Sequence, residues 1–554
     1  MKQKLPRLFI YLLGAVFLIN LIQGYFTELI FDEAYYWYYA QNMAWGYFDH
    51  PPMVALLVKM SSFFFEGELG VRFMSCILSA GTIVFLWLSV DHPKKKDYIA
   101  HFFVLVFSMT LLNAYGFLTL PDTPLVFFTA VFLWAYKNFL KSPSALQAIL
   151  VGCIMAALMY SKYHAVLVIV FVILSNYKLL LSKYAWLAVL VSLLCYSPHI
   201  FWLIEHDFVT LKYHLFERPN RAYHFEDYTL GYFINLVAIF GLTFPWIYAA
   251  IYKTKVTDKF IKALLYLIYG VLIFFFISSF NRRIQTQWII VISIPAVVLV
   301  YNYMLNHEGF RKWLWRMGIA NILVLSFLRV GLVYEPIFPI IYETHGNKKW
   351  VSEIVAQAGN TPVIFENSYR NAPMYSFYSG NNSFSLNNIK YRQNQYSIDS
   401  SEFKMQGRKV IYTSKYIKNG DISFDDAKST TYYGNFVENF ESFRKLHCAL
   451  RDAEEATLDR EYLMDVDKTY NSNIDLNKIK FAVAYLNDYK QVREIIPLEV
   501  SLLDPETKEL KSEMGTGFSF KLPPPKEGSP GYFKVCISEN DLWWGINSEN
   551  IKLK

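Results

Sequence analysis

The chain has 554 residues, of which 54% are hydrophobic, 18% aromatic and 18% charged. Ordinary soluble domains carry about 25% charged residues, and the apolar excess here is concentrated between residue 8 and about residue 340. The formal net charge of +7 comes largely from Lys and Arg in short loops between apolar runs, so it does not indicate nucleic-acid binding. The composition excludes a purely soluble protein and predicts a membrane part followed by a soluble part.

The membrane part contains eleven apolar runs that are candidates for spanning helices, which need about 20 mostly apolar residues each. The first run has no small-residue cleavage site after it, so we interpret it as an uncleaved helix and not as a signal peptide. The eleven runs are centred near residues 16, 80, 107, 132, 153, 170, 194, 240, 270, 297 and 323.

The direction of threading follows from the basic residues. Lys2, Lys4 and Arg7 precede the first run, and every second loop thereafter is also rich in Lys and Arg. Because cytoplasmic loops carry the excess of basic residues, this side is predicted to be cytoplasmic. An odd number of spans then places residues from about 340 to 554 on the extracytoplasmic side.

The loops on the opposite side differ in kind, because they contain acids, His, Arg and amides among aromatic residues. The first of them, residues 27–70, is too long for a simple turn and is predicted to form two short helices in the membrane interface. The polar stretches in these loops are FDEAYYWYYAQNMAWGYFDHPP (31–52), LTLPDTP (118–124), SKYH (161–164), EHDFVTLKYHLFERPNR (205–221) and NRRIQTQW (281–288).

Asp32 and Glu33 are the first candidate functional residues. They would cap a helix starting at Ala34, since acids favour helix N-termini. They also adjoin a predicted span, where ionisable groups are rare and usually functional. A carboxylate partly shielded from water can act as a general base toward an attacking hydroxyl, and we favour this second interpretation.

Three further outer-side residues have two interpretations each. Asp49 and His50 either begin a turn with the following Pro-Pro pair or contribute to the site. Asp122 lies in Pro-Asp-Thr-Pro, where Thr123 is a natural N-cap and Pro124 suits the first helical position. A functional role for Asp122 is weighed equally against that capping role.

Cations on this side form the remaining candidates. Lys162 has no neighbouring acid in the sequence, and it would either extend to the lipid headgroups or neutralise a phosphate. Arg218, Arg221, Arg282 and Arg283 depart from the trend of basic residues on the cytoplasmic side. They either pair with headgroups and nearby acids or form an anion site, since Arg binds phosphate with two parallel hydrogen bonds. Together they favour the anion site.

The soluble part divides in two. Residues 341–470 contain strand, helix and strand patterns that predict a small α/β domain, and residues 471–554 alternate apolar and polar residues as in a β-sandwich. Cys448 and Cys536 lie in this part and would pair only in an oxidising compartment.

The outer-side stretches resemble successive motifs of bacterial membrane glycosyltransferases of the GT-C class. This group includes protein O-mannosyltransferase-like proteins and the aminoarabinose transferase of lipid A. The resemblance covers about residues 5 to 335, and the soluble part is only loosely similar. The motifs are DEAYYWYYAQNMAWGYFDHPPMVA, LPDTPLVFF, SKYHAVL, SPHIFWLIEHDFVTLKYHLFER and RRIQTQWIIVISIPA.

The resemblance implies a multi-pass protein of the bacterial inner membrane that transfers a sugar, with inversion, from a polyprenyl phosphate to a hydroxyl outside the cytoplasm. Asp32 would be the base, with Glu33 and Asp122 as the other catalytic acids. The predicted substrate-binding residues are Asp49, His50, Lys162, Tyr163, Arg218, Arg221, Arg282, Arg283 and Trp288.

Other expectations concern ligands and alternatives. Some members of the class bind a divalent metal ion, but the sequence shows no clear ligand set, so no cofactor is assigned. The acceptor stays open between lipid A, another glycolipid, a polymer and a protein. Gln287-Trp288 departs from the Asn-Trp or His-Trp pair common in the class, which leaves residue 287 without a role. The alternative function is a transporter or flippase for a lipid-linked sugar, although no inverted repeat is visible.

Overall fold

A computed structural model describes residues 5–338, 340–451, 455–510 and 515–554. The chain divides into two compact units. The membrane unit comprises residues 1–207 and 223–345, and the second unit comprises residues 208–222 and 346–554.

Helices account for nearly all regular structure up to residue 333. In chain order they are α1 Arg7–Phe26, α2 Phe31–Gln41, α3 Met53–Ser61, α4 Gly67–Ser89, α5 Ile99–Ser108, α6 Thr110–Ala114, α7 Asp122–Lys141, α8 Ala145–Ser161, α9 Ala165–Ser175, α10 Lys183–Glu205, α11 Val209–Lys212, α12 Gly231–Ala238, α13 Phe244–Lys253, α14 Lys259–Ser278, α15 Ser293–Asn306 and α16 Glu308–Val333.

Among the described residues, seven helices are long and apolar enough to cross a membrane, and a pair bent by 92° near residue 240 would make an eighth. The predicted runs near residues 107, 153 and 170 are helical too, but their helices are shorter than the 18 residues that a span of this kind needs. The prediction of a polytopic helical membrane protein is confirmed, and the length of the helices supports fewer full spans than the eleven predicted.

The first outer loop forms the two short helices that the sequence predicts, α2 and α3. Helix α2 begins at Phe31, three residues before the expected start. The reason is local: the Glu33 carboxylate accepts a hydrogen bond of 3.3 Å from the backbone N–H of Ile30, so the acids lie inside the first turn.

The start of α7 also differs from the prediction. The helix begins at Asp122, and Thr123 is not its N-cap. The Thr123 hydroxyl instead donates to the Leu118 carbonyl at 2.8 Å and accepts from the Leu120 N–H at 3.4 Å. It therefore ties the preceding loop to the first turn of the helix.

The second unit contains a mixed sheet and a sandwich. Its helices are α17 Asn347–Ala358, α18 Asn371–Ser379 and α19 Gln395–Ile398. Its strands are β1 Val363–Glu366, β2 Ser383–Leu386, β3 Val410–Ser414, β4 Ile422–Asp425, β5 Thr431–Val437, β6 His447–Leu450, β7 Glu455–Ala456, β8 Glu461–Asp467, β9 Ile474–Asp475, β10 Ile479–Leu486, β11 Val492–Leu498, β12 Val500–Leu502, β13 Glu509–Leu510, β14 Thr516–Lys521, β15 Tyr532–Glu539 and β16 Ile551–Leu553.

The first sheet has the order β2-β1-β3-β5-β4, in which β1 is parallel to both β2 and β3 and the β3–β5–β4 pairs are antiparallel. The strand, helix and strand predicted from the sequence correspond to β1, α18 and β3. This arrangement is the predicted α/β part.

The sandwich consists of a five-stranded sheet, β11-β10-β15-β16-β7, and a four-stranded sheet, β12-β14-β8-β6. Both sheets contribute to one apolar core, for example through Met464 and Val535, which are fully buried. Pro497 lies in β11 at the sheet edge, where a missing N–H costs no ladder bond. The sandwich starts at His447, ahead of the predicted boundary at residue 471.

The two cysteines of the second unit are not paired. Cys448 and Cys536 are both free and buried, and burial raises the pKa of each thiol, that of Cys536 to about 12. The thiols are therefore apolar packing groups of the sandwich.

Candidate active site

Asp32 lies in the first turn of α2, at the end of the connection from α1, and its side chain is half-buried. Acids are favoured at this position because the helix N-terminus carries partial positive charge. The carboxylate thus lies in the first turn of a helix and is partly accessible to solvent.

Glu33 has a different environment from its neighbour. Its side chain is completely buried and forms an ion pair with Arg72 of α4, whose Nε donates to Oε1 at 2.8 Å. The remaining Arg72 N–H groups donate to the carbonyls of Gly24, Thr27 and Glu28. Because no Glu33 atom is accessible to a substrate, we assign it a positioning role in place of the catalytic role predicted.

The Glu33 carboxylate also holds the second outer loop. Its Oε1 accepts a hydrogen bond of 2.9 Å from the backbone N–H of Thr119. The Thr119 hydroxyl in turn donates to the Val71 carbonyl and contacts the Ser75 hydroxyl at 2.7 Å. The loop that leads to Asp122 is therefore fixed to α2 and α4 by one network.

Asp122 and Lys162 form a buried ion pair. The Lys162 Nζ lies 2.8 Å from both carboxylate oxygens of Asp122, and the two residues are 3% and 7% exposed. Lys162 is therefore not the isolated cation that the sequence suggested, because the acid comes from 40 residues earlier in the chain. The charges of the two groups largely cancel.

Two tyrosines lie near the acids. Burial, followed by the charges of Asp122 and Asp32, raises the pKa of Tyr115. Burial, followed by the carboxylates of Glu343, Asp32 and Glu33, raises the pKa of Tyr342. Both phenols are therefore protonated at neutral pH.

Asp49 and His50 close the first outer loop against α2. The Tyr39 hydroxyl donates to the Asp49 carboxylate at 2.5 Å, and burial followed by the charge of Asp49 raises the pKa of Tyr39. The Tyr47 ring stacks on Tyr39 at 4.1 Å, and the Tyr47 N–H donates to the His50 carbonyl at 3.1 Å. These contacts favour the loop-shaping interpretation of both residues.

The predicted residue Tyr163 joins this loop to α10. Its hydroxyl lies 3.0 Å from His199 Nε2, and the other ring nitrogen of His199 lies 2.6 Å from the Trp45 carbonyl. A Cβ added at Gly46 would lie 2.2 Å from the Trp202 ring, so the loop contacts α10 as closely as a glycine permits.

The last outer stretch reaches the same region through aromatic contact. The ring of Trp288 lies 5.4 Å from that of His164, two residues after Lys162. Arg282 is half-buried and Arg283 is exposed in the connection that precedes it. The Asn235 amide donates to the Ile284 carbonyl at 2.8 Å and so anchors this connection.

Arg218 and Arg221 are both exposed and belong to the second unit. The structure therefore groups Asp32, Asp122, Lys162, Tyr163 and Trp288 within the membrane unit and assigns the two arginines to a different unit.

Sequence reasoning missed several polar residues of the membrane unit. Arg72 and Arg329 lie inside apolar helices, and both guanidinium groups lie over the Phe117 ring, at 5.8 and 4.9 Å. Arg329 Nε donates to Asn113 at 2.7 Å. Their position inside predicted spans could have identified both arginines, because ionisable residues are rare there and usually functional. Tyr115 and Tyr342 gave no comparable signal among 41 tyrosines.

In the part of the chain that the structure describes, no group of three or more His, Cys, Asp or Glu residues is arranged to hold a metal ion. The acids of the site are instead engaged by Arg, Lys and Tyr side chains.

Comparison with known proteins gives two sequence matches. Residues 49–202 match the family model described as dolichyl-phosphate-mannose-protein mannosyltransferase. The lipid A galacturonosyltransferase RgtD of Rhizobium johnstonii is 22% identical over 326 residues, which cover 54% of this chain and 65% of RgtD. The match therefore spans less than two thirds of that relative. The matching relatives are glycosyltransferases, as the sequence predicted.

The structural matches decide the fold. ArnT from Cupriavidus metallidurans in the apo state superposes with a TM-score of 0.54 at 11% identity, covering 73% of this chain and 92% of ArnT. The chain has the fold of ArnT. The structure of ArnT bound to undecaprenyl phosphate also matches over 73% of this chain and 92% of ArnT, with a TM-score of 0.50 at 12% identity.

Within this fold, the site offers a specific set of chemical groups. Asp32 is a half-buried carboxylate, a group that can accept a proton. Glu33 and Asp122 are each bound by a buried cation and hold the loops in place.

Proposed function

We propose that the protein is an integral membrane glycosyltransferase that moves a sugar from a polyprenyl-phosphate donor to a hydroxyl group of an acceptor. The observation that carries this proposal is the position of Asp32, a half-buried carboxylate in the first turn of α2. The other two acids, Glu33 and Asp122, are held by Arg72 and Lys162. The GT-C fold and the glycosyltransferase relatives support the reaction class.

In the proposed reaction, Asp32 takes the proton of the acceptor hydroxyl as its oxygen attacks the anomeric carbon. The new bond joins that oxygen to the carbon, and the bond between the carbon and the phosphate oxygen breaks with its electron pair. Attack from the face opposite the phosphate inverts the anomeric configuration, through an oxocarbenium-like transition state. The phosphate leaves already charged, so no general acid is required.

The departing phosphate needs a cation. We assign this role to the half-buried Arg282, with Arg283 exposed beside it. Arg suits this task because its planar guanidinium donates two parallel hydrogen bonds to a phosphate. Tyr115 and Tyr342 would orient the acceptor or the sugar by hydrogen bonding.

The proposed setting is the bacterial inner membrane, with the N-terminus in the cytoplasm and both the site and the second unit outside it. The distribution of Lys and Arg among the loops supports this orientation. The undecaprenyl phosphate bound to ArnT supports a polyprenyl donor, and the name of RgtD supports a lipid acceptor.

The test is the variant Asp32→Asn, which keeps the size of the side chain and removes its basicity. We expect normal expression and folding and a fall in transfer of at least about 100-fold, the usual contribution of a general base. The measurement is transfer of labelled sugar from membrane lipid to endogenous acceptors in isolated membranes.

The matched control is Glu66→Gln, which removes an exposed carboxylate from the same outer loop. Transfer by this variant should equal that of the wild type. Wild-type transfer by Asp32→Asn would refute the assignment of the base.

A further inference from the structure

The second unit contains a cavity that the proposed reaction does not use. It has a volume of about 450 Å³, within the range of about 300–1,000 Å³ typical of small-molecule sites. Its walls come from the segment 208–222, the loop after β2, the turn between β10 and β11, and the end of the sandwich. All of these segments belong to one compact unit.

The charge of the cavity is predominantly positive. Four of its lining side chains are basic and one is a carboxylate, namely Lys390, Arg392, Lys490, Lys534 and Glu217. The carboxylate is already engaged, because Lys534 Nζ lies 2.9 Å from Glu217 and the Asn550 amide donates to Glu217 at 2.7 Å. An anionic ligand would therefore meet an excess of cations.

One cation of the wall is held in place. The Arg392 guanidinium lies over the Tyr369 ring at 4.3 Å and donates to the Tyr213 hydroxyl at 3.2 Å. Tyr213 is only 5% exposed. Holding the side chain before a ligand arrives lowers the entropy lost on binding.

The remaining lining groups suit a sugar. Tyr391 contributes a half-buried aromatic ring, and Gln393 and Gln491 contribute half-buried amides that both donate and accept hydrogen bonds. Amides match the hydroxyl groups of a saccharide, and aromatic rings pack against its C–H faces. A simple phosphate would use the cations and would gain nothing from the aromatic ring.

We propose that this cavity binds an anionic saccharide, meaning a sugar that carries a phosphate or a carboxylate. We infer that this saccharide is the part of the acceptor that the cavity recognises, and this step rests on the proposed transferase function. The binding of the saccharide to the cavity does not depend on that function. The cavity would then select acceptors by their charged sugar.

The test measures binding to the full-length protein in nanodiscs by isothermal titration calorimetry. The probes are glucosamine 6-phosphate and galacturonic acid, with neutral glucose and inorganic phosphate for comparison. We expect one of the two anionic sugars to bind more tightly than both glucose and inorganic phosphate. The anionic sugar that binds more tightly shows whether the cavity prefers a phosphate or a carboxylate. Equal or tighter binding of inorganic phosphate, or no binding of either anionic sugar, would overturn the proposal.

The double variant Lys390→Gln with Lys490→Gln tests the location. Both residues are at least partly exposed, so the variant should keep the wild-type unfolding temperature. Binding should weaken about tenfold or more, since a hydrogen bond to a charged group contributes about 1.5–3 kcal/mol. The control is Lys480→Gln, whose exposed ammonium pairs with Asp541 outside the cavity. If the control weakens sugar binding as much as the double variant does, the binding site is not this cavity.

Asp32→Asn separates this inference from the proposed function. It should abolish transfer and leave binding of the anionic sugar unchanged. If transfer persists in this variant while binding still depends on Lys390 and Lys490, the catalytic assignment fails and the cavity stands. If the double variant binds normally while Asp32→Asn is inactive, the cavity fails and the transferase stands.

Discussion

At the scale of single residues, neighbouring acids in one sequence motif have different roles. Asp32 and Glu33 are adjacent, yet one is half-buried and the other is enclosed by Arg72 and the backbone. A sequence identifies both as acids beside a predicted span. It does not show that Arg72 binds Glu33, because the two residues are 39 positions apart and their contact depends on how α2 packs against α4.

The buried ion pair makes a prediction about stability. Arg72→Met leaves the Glu33 charge buried without compensation, which should cost about 3–5 kcal/mol. Adding Glu33→Gln to Arg72→Met should recover much of this loss, because the uncompensated charge is then gone. Thermal unfolding of the purified variants, followed by size-exclusion chromatography, measures both effects.

The control for this pair is Lys312→Met. Lys312 and Glu308 form an exposed pair, with side chains 66% and 67% accessible, and such pairs contribute about 0–1 kcal/mol. A similar loss of stability in Lys312→Met and Arg72→Met would show that the buried pair has no special role.

At the scale of elements, periodicity and length predict most helices and strands of this chain. The predicted strand segments of the sandwich correspond to β10, β11, β14 and β15, although β10 and β15 are buried along most of their length and do not alternate in burial. Helix starts are less predictable. Thr123 satisfies every local preference for an N-cap, but a loop carbonyl takes its hydroxyl, and α7 begins earlier.

The loop that contains Gly46 packs tightly against Trp202 of α10. A methyl group there would lie 2.2 Å from the Trp202 ring, so Gly46→Ala should displace the first outer loop. Overpacking of this kind costs about 1–3 kcal/mol. We expect a lower kcat for sugar transfer, measured together with the unfolding temperature.

Gly14→Ala is the matched control, since nothing lies within 4 Å of a Cβ added at Gly14 of α1. This variant should keep wild-type transfer and stability. Wild-type kinetics in Gly46→Ala would show that the loop tolerates displacement and does not position the site.

At the scale of the whole molecule, buried charge also links the two parts of the second unit. Glu402, which precedes β3, accepts hydrogen bonds from the Tyr470 and Ser442 hydroxyls at 2.7 and 2.8 Å. Arg444 lies 3.2 Å from Glu539 and donates its backbone N–H to Glu402 at 2.8 Å. Arg444 thus contacts both buried carboxylates, Glu539 through its guanidinium and Glu402 through its backbone N–H.

This cluster predicts how stability depends on pH. Burial raises the pKa of both Glu402 and Glu539 above the ordinary value of 4.5. A raised pKa in the folded state stabilises the protein below pH 4.5, and this contribution is lost as the pH rises through the folded value. Through these two carboxylates, the second unit should therefore unfold at a lower temperature at pH 8 than at pH 5.

Glu402→Gln should reduce this pH dependence, because one of the two titrating groups is removed. Thermal unfolding of the full-length protein between pH 5 and pH 8 measures the slope. Glu438→Gln, which changes an exposed carboxylate paired with Lys409, should leave the slope unchanged. An unaltered slope in Glu402→Gln would contradict the role of the cluster.

The path of the chain between the two units has a consequence for recombination. The chain leaves the membrane unit after residue 207, returns at residue 223 and leaves again after residue 345. The inserted segment supplies Tyr213 and Glu217 to the second unit. A gene fusion that exchanged only residues 346–554 with a relative would separate these side chains from their partners. A functional chimera must transfer residues 208–222 and 346–554 together, because the two segments form one compact unit.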